Sequence, residues 1–541
     1  MAKSKMMSGC PVLMGDNTIP GVRIPKEVQD QIPIIMKAVK DFGCDYYPTV
    51  VEFLTYDEIS EVAAYGGFPV RYPHWRFGME YEELSKGYEY GMHRIYEMVI
   101  NTNPCYIYCL DSNTLVDNVT VVAHALFHND FFKNNIHFEP TNTNMLNKFA
   151  NHATRIREYM ARWGKERVTE FIDYVLRIET LIDPVKGWSK KKYKDPLIKD
   201  KRSYKFPSRR DVGDHTYMEE WLNPRREQDR KWNKIHEQEA AFEIGAFGRP
   251  DKDIFGFLKD HAPLKPWQQD VISMLYDESM YFQPQRMTKV LNEGWASMGD
   301  SKMMAHFGLI SLGQPSHDAG IFEYAQHKMG VLGGKYSTNP YKLGYCLFQD
   351  IEERWDKGQF GSEWEDCEDQ REKERWNKKL GLGREKIFEV RRCYNDLTAI
   401  NEFFTQEFCD KYEYYDWKRF PNGEYKIVSR DAKEIKKKLM RRHLNGGLPD
   451  IRITDDNHLG KGWLCLEHKW DGRTLYDKYV RDTLVALNFL WQQPVVLSTK
   501  DKNNDEFVYV CEGTDSKQVY LASRSDYDKH IVNKKPQESE A

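Results

Sequence analysis

At 541 residues the chain exceeds what one hydrophobic core usefully holds, so two or three domains are expected. Hydrophobic residues at 40% and charged residues at 30% supply both cores and a solvated surface, which excludes a disordered or fibrous polypeptide. A formal net charge of −4 is too small on this length to point to a polyanionic or polycationic partner.

The opening "MAKSKMMSGCPVLMGDNTIP" has no apolar run of signal-peptide length, and no later stretch approaches about 18 apolar residues. A cytoplasmic location is therefore expected. The ten cysteines are scattered without a C-x-x-C pair, which argues for free thiols in a reducing compartment.

In chain order, residues 1–45 read as an N-terminal arm with one helix, roughly Lys26 to Phe42. Residues 46–185 form a strand-plus-helix part. Within it, "YEMVINTNPCYIYCL" (96–110) is rich in β-branched and aromatic residues and turns at Asn101–Pro104, as two strands or one bent strand. Asp111 or Ser112 then offers an N-cap for a helix from Leu115 to Phe132. "NKFANHATRIREYMARWG" and "KERVTEFIDYVLRIETLID" continue with helical periodicity. Residues 186–249 are a connecting insert whose first part, 186–210, carries eleven Lys/Arg against two Asp, with Trp188, Tyr193, Tyr204 and Phe206 interleaved. The balancing acids elsewhere favour a solvated connection over a nucleic-acid contact. Residues 250–420 are helical, and a boundary is expected near Trp417–Gly423. The remainder, 421–541, reads as a small α+β module: a helix at Asp431–Leu444, strands "DIRIT" and "WLCLEH", a helix from Leu475 to Trp491, and strands "PVVLST", "EFVYVCEG" and "KQVYLAS". The expected fold class is α+β, predominantly helical.

Two motifs carry chemistry. In "VVAHALFHNDFFKNN" (121–135), His124 and His128 lie four apart, the spacing that aims two imidazoles along one helix face. A zinc protease writes this as H-E-x-x-H with a glutamate to activate water, and here that place is Ala125. A metal pair and two core histidines are both open readings. The second motif, "LNEGWASMGD" (291–300), resembles the third-ligand helix of gluzincin aminopeptidases, with Glu293 as the ligand. His124, His128 and Glu293 would then form the open three-ligand site of a catalytic metal in a gluzincin-like strand–helix core, and zinc and iron(II) suit it equally. Glu293 follows His128 by 165 residues, much farther than in those peptidases. Glu97 and Glu179 are secondary carboxylate candidates, read first as salt-bridge partners. Asp130 and Lys133–Asn135 are placed in the same cleft, Asn134-Asn135 also as a C-cap, and His74 reads as a structural hydrogen-bonder.

Seven blocks extend the comparison to the whole chain: "GGFPVRYPHWRFGMEYE", "YEMVINTNPCYIYCLDSNTL", "AHALFHNDFFKNNIHF", "YFQPQRMTKVLNEGWAS", "NPYKLGYCLFQDI", "YNDLTAINEFFTQEFC" and "GWLCLEHKWDGRTL". In this order they resemble the stage V sporulation protein R (SpoVR) family, from about residue 25 to about residue 500. The resemblance implies a cytoplasmic protein associated with spore cortex formation or with stationary-phase and stress physiology. It also implies a gene neighbourhood with a PrkA-type serine kinase and a von Willebrand-like protein. It brings no settled activity. The family pattern usually has Phe-Trp-His-Tyr where this chain has Met298-Gly299-Asp300-Ser301, with His306 a little downstream. Two functions follow as expectations: a metal-dependent hydrolase of peptide or amide bonds, or a non-catalytic scaffold or regulator on a degenerate metallopeptidase-like core.

Overall fold

The computed structural model describes residues 18–20, 26–89, 97–186, 252–306, 309, 317–334, 339–458, 460–513 and 519–529. Apart from Lys186, the basic segment 186–210 and the rest of the insert to residue 249 lie outside the described residues, as does the His306 side chain. The described chain is mostly helical with three sheets, an α+β architecture. It divides into two compact units, residues 1–153 with 283–447, and residues 154–282 with 448–541.

The first unit holds a four-stranded sheet in the order β1-β2-β4-β3, with β1 Thr18–Pro20, β2 Thr49–Leu54, β3 Glu97–Ile100 and β4 Cys105–Leu110. β2 runs parallel to β1 and β4, whereas β3 and β4 are an antiparallel hairpin that pairs Glu97 with Cys109. The 96–110 stretch is thus two strands, with Cys105 and Cys109 buried in the second. β4 leads into the helix Leu115–Asn134, here the histidine helix, whose N-cap is Thr114 rather than Asp111 or Ser112: its hydroxyl accepts the Asp117 N–H at 3.1 Å. Val116, Val119, Val122, Leu126, Phe127 and Phe131 bury different faces of this helix, so it runs through the core instead of lying on it.

Two further helices complete the core around it. The glutamate helix, Lys289–His306, starts where the buried Asp396 carboxylate accepts the Val290 and Leu291 N–H groups, both at 2.9 Å. The tyrosine helix, Pro340–Lys357, is capped by Asn339, whose side chain accepts the Tyr341 N–H at 2.9 Å, and stops at Gly358 in the left-handed conformation. Glutamate and tyrosine helices cross at Gly294 and Gly344. A Cβ at either glycine would fall well under 3 Å from the other helix's backbone. On another side, a Cβ at Gly299 would run into the Phe127 ring of the histidine helix.

The helix Ala432–His443 contributes Ile435 and Leu439 to this same core. The compact division therefore falls at Gly447–Leu448, not near Trp417–Gly423, which instead lies in the hairpin of β5 Asp416–Arg419 and β6 Tyr425–Ser429. In the second unit, β7 Ile451–His458, β8 Trp463–His468, β9 Val495–Lys500, β10 Glu506–Cys511 and β11 Val519–Ser523 form one sheet in the order β11-β10-β9-β8-β7. Only β8 and β9 pair in parallel, because the helix Asp477–Trp491 connects them as a crossover. Among the described residues, no helix is long and apolar enough to cross a membrane.

The glycine crossing yields a stability prediction. Gly294→Ala and Gly344→Ala each force two backbones apart and should destabilise the protein by about 1–3 kcal/mol or more. Gly330→Ala, on the helix His317–Val331 with nothing within 4 Å of the added carbon, should leave stability unchanged or raise it by up to about 1 kcal/mol. Urea denaturation of the three variants checks this; equal effects at all three positions would refute the packing account.

Candidate metal centre

His124 and His128 project from successive turns of the histidine helix, with ring centroids 4.7 Å apart, and both are buried. Each ring is held through Nδ1. That of His124 bonds Asp300 Oδ2 at 2.9 Å, and that of His128 bonds Asn292 Oδ1 at 2.9 Å. Carboxylate and amide oxygens only accept, so both Nδ1 atoms carry a proton, and each ring turns its Nε2 inward. This is the arrangement by which outer partners fix the tautomer and aim of ligating histidines.

Glu293 and Glu97 meet those two nitrogens. Glu293 Oε2 lies 3.4 Å from His128 Nε2 and 3.7 Å from His124 Nε2, and Glu97 Oε1 lies 3.6 Å from His124 Nε2. Donor atoms of Glu97, His124 and His128 all fall within 4.8 Å of one another. The spacing is informative. Hydrogen bonds would draw such pairs to about 2.7–3.2 Å. Ligand bonds of about 2.0–2.2 Å at tetrahedral angles separate neighbouring donors by about 3.4 Å. Glu293 Oε2 is also buried without a hydrogen-bond donor among the described residues, whereas its Oε1 takes Lys289 Nζ at 2.5 Å. The donor set thus fits a small divalent cation.

Electrostatics point the same way. Burial opposes charge on His124, yet Glu97, Asp300 and Glu293 hold its pKa up to about 10. Burial raises the Glu97 carboxyl, with the two histidines pulling against it. Burial also acts to raise Glu293, but His128, His124 and Lys289 overcome it and hold the group well below the usual carboxylate range. Asp300 is brought down to about 2 against its burial, chiefly by Lys328, whose Nζ lies 2.7 Å from Oδ1. The pocket therefore concentrates negative charge that attracts a proton or a cation.

Of the residues singled out in sequence, the fold brings together His124, His128 and Glu293 and adds Glu97, which is a member of the cluster and not merely an ion-pair partner. Glu179 belongs to the other compact unit. Asp130 builds the frame instead of lining the cleft: it accepts the Asp45 N–H at 2.8 Å and the Trp295 indole N–H at 2.9 Å, with Arg391 at 3.3 Å. Lys133 and Asn134 bond Asp45, and Asn135 bonds the Arg391 and Tyr394 carbonyls. Asn135 is the C-cap with extended backbone, φ −75° and ψ 129°, not a left-handed one. His74 accepts the Arg76 N–H and packs among Tyr72, Trp75 and Phe77. Ala125 is fully buried in the apolar core. Sequence reading missed Asp300 and Asn292 as partners of the histidines and Tyr341, whose ring stacks 6.4 Å from that of His124. Their signal lay in quoted blocks, with Asn292 directly before Glu293.

A family model described as "SpoVR like protein" matches residues 24–448, and a second, "SpoVR-like C-terminal domain", matches 449–502. The chain belongs to the SpoVR-like family. The border between the two matches coincides with the start of the second unit's C-terminal portion at Leu448. This SpoVR-like chain is also 25% identical over 500 residues to "Uncharacterized protein YcgB" of Escherichia coli (strain K12), covering 87% of the chain and 91% of that relative. No solved structure matches.

Asp396, which caps the glutamate helix, supplies a pH test. Burial raises its carboxyl from 3.8 to about 7, against the pull of the Val290 and Leu291 N–H groups. The folded state then binds more protons than the unfolded chain between those values, so this group's contribution to stability falls as pH rises from about 4 to about 7. Asp396→Asn removes the titration. The stability of wild type relative to Asp396→Asn should decline across that window, by up to roughly 4 kcal/mol. Urea denaturation of both proteins at pH 5 and pH 8 measures it, and a pH-independent difference would contradict the assignment.

Proposed function

We propose that His124, His128 and Glu293 hold a divalent metal ion, zinc or iron(II), and that the centre serves hydrolysis of a peptide or amide bond. The observation that carries this reading is the convergence of two Nε2 atoms and an unsatisfied carboxylate oxygen at 3.4–3.7 Å, ligand spacing and not hydrogen-bond spacing. Such an ion polarises a carbonyl and lowers the pKa of water.

The absence of a base at Ala125 does not count against hydrolysis, because Glu97 stands beside His124 from a different element. At 18% side-chain exposure it is the most open carboxylate of the cluster, against 7% for Glu293. In this role Glu97 takes a proton from the attacking water as its oxygen bonds to the carbonyl carbon. It then returns that proton to the leaving nitrogen as the C–N bond breaks. The scaffold alternative draws on Ala125 and on the 165-residue separation of Glu293 from His128. A gluzincin-like core is part of the same proposal, resting on the succession of strand, histidine helix and glutamate helix.

Metal content of protein purified without chelators or nickel is the direct test. Wild type should carry one ion per chain, His124→Ala and His128→Ala should carry none, and Glu293→Gln should bind more weakly by about 10-fold or more. Because the ion is bound only by the folded chain, chelation should lower the melting temperature. Glu97→Gln should keep the ion. Wild-type protein free of stoichiometric metal, with a melting temperature indifferent to added zinc or iron(II), would end the proposal.

A further inference from the structure

Away from the metal centre, positive charge gathers on one part of the first unit. Residues 418–442 carry ten Lys/Arg against three acids, in a chain whose formal net charge is −4. They span the β5–β6 hairpin and the helix Ala432–His443, which the Lys438–Asp416 ion pair ties together. In the hairpin Lys418 stands directly opposite Lys426, with Phe420 and Val428 beside them, exposed by 40% and 56%. Lys426 Nζ lies 5.6 Å from the centre of the Phe420 ring. Strand alternation turns the half-buried Trp417 and Ile427 to the other face. On the helix, Lys433, Lys437 and Arg441 follow at four-residue intervals, on the side away from the buried Ile435 and Leu439.

Like charges opposite each other on paired strands, or four apart on a helix, destabilise the elements that carry them. The acids of the segment do little to relieve this. Asp431 caps the helix by accepting the Lys433 N–H at 2.8 Å, and Glu434 accepts the Ser429 hydroxyl at 2.6 Å. Glu424 divides between the Asn422 amide at 2.9 Å and Lys426 at 3.5 Å. Lys418, Arg419, Lys433, Lys437 and Arg441 form no ion pair among the described residues.

We propose that this hairpin and helix form a binding surface for single-stranded nucleic acid, with phosphates along Lys418, Lys433, Lys437 and Arg441 and a base stacked on Phe420. A phosphate chain brings a row of anions to a row of cations and removes the repulsion that the free surface carries. The exposed ring among the cations selects nucleic acid over an acidic polypeptide, because every base offers it a flat face and a glutamate side chain does not. Stacking needs unpaired bases, hence a single strand and not a duplex. An anionic bilayer would call for an apolar helix face, and here Ile435 and Leu439 are already spent in the core. The surface shares no residue with the metal centre, so the two readings stand or fall separately.

Full-length protein and a fluorescein-labelled oligouridylate of about 20 nucleotides test this by anisotropy. Wild type should bind, with affinity falling steeply between about 50 and about 200 mM salt as counterions are released. Combined Lys433→Gln, Lys437→Gln and Arg441→Gln should weaken binding about tenfold or more and flatten the log–log salt slope by about two, the share of three phosphate contacts. Phe420→Ala should weaken binding about fivefold or more at an unchanged salt slope, because stacking releases no counterion. Unchanged urea midpoints separate lost contacts from lost fold. If the triple variant is recovered unfolded, Lys437→Gln alone should flatten the slope by about 0.7. Combined Lys190→Gln, Lys191→Gln and Lys192→Gln, in the basic segment 186–210, should bind as wild type. No salt-sensitive binding by wild type, full affinity in the helix variants, or loss in the 190–192 variant instead would overturn the proposal. An inert Phe420→Ala would refute the stacked single strand. Equal affinity for polyglutamate, or binding to phosphatidylserine vesicles without binding to the oligouridylate, would overturn it too, assigning the surface to an acidic protein or a bilayer.

Discussion

Close approach of three helices is the constraint on which the cluster depends. An ion of about 2 Å ligand distance tolerates displacements of only a few tenths of an ångström, so the elements bearing its ligands must be held by contacts stiffer than exposed side chains. Here the glutamate helix meets the tyrosine helix backbone to backbone at Gly294 and Gly344, and meets the Phe127 ring of the histidine helix at Gly299. Trp295, one residue beyond Gly294, packs its ring on Phe127 and donates its N–H to Asp130 of the histidine helix. The sequence Asn292-Glu293-Gly294-Trp295 is thereby accounted for residue by residue. Asn292 aims His128, Glu293 faces the centre, Gly294 admits the neighbouring helix, and Trp295 locks the pair of helices together.

Charge sets the second condition. Glu97, Glu293 and Asp300 would be costly together in an apolar core, several kcal/mol for each unpaired ion. Lys328 answers Asp300, and Lys289 answers the outer oxygen of Glu293. What remains unanswered is the inner side of Glu293 with Glu97, both directed at imidazole nitrogens. Protein atoms alone meet that balance by drawing a proton onto His124, which is why its pKa reaches about 10. A divalent cation meets it with twice the charge at the same nitrogen. The departure Met298-Gly299-Asp300-Ser301 belongs to this arrangement, since Gly299 gives Phe127 room and Asp300 is the acceptor behind His124.

Much of this was legible in the linear chain, for physical reasons that differ between elements. The histidine helix was readable because four-residue spacing on a helix is a fact of geometry, and its end at Asn134 missed the expected Phe132 by only two residues. The 96–110 hairpin was readable from β-branched and aromatic residues around a proline turn. Glu97 was visible as a secondary carboxylate candidate, read first as a salt-bridge partner, because its approach to His124 depends on how the hairpin docks beside the histidine helix. Asp300 and Asn292 were hidden for the same reason: they lie 176 and 164 residues from the rings they hold. The helix Ala432–His443 was placed with the wrong neighbours because amphipathic periodicity reports that a face is buried, not which core receives it.

Those long separations also bear on what the missing glutamate means. In a helix, the residue after the first histidine points about 100° away from it, and a glutamate there reaches the ion only if that flank of the helix borders the cleft. Ala125 is fully buried and belongs to the same apolar core cluster as the Val, Leu and Phe side chains of this helix. At the cluster itself a carboxylate comes from the β3 end of the hairpin, where Glu97 Oε1 lies 3.6 Å from His124 Nε2. A proton acceptor requires reach and exposure, not a particular place in the sequence, and the proposed role of Glu97 rests on its 3.6 Å approach to His124 and its 18% side-chain exposure.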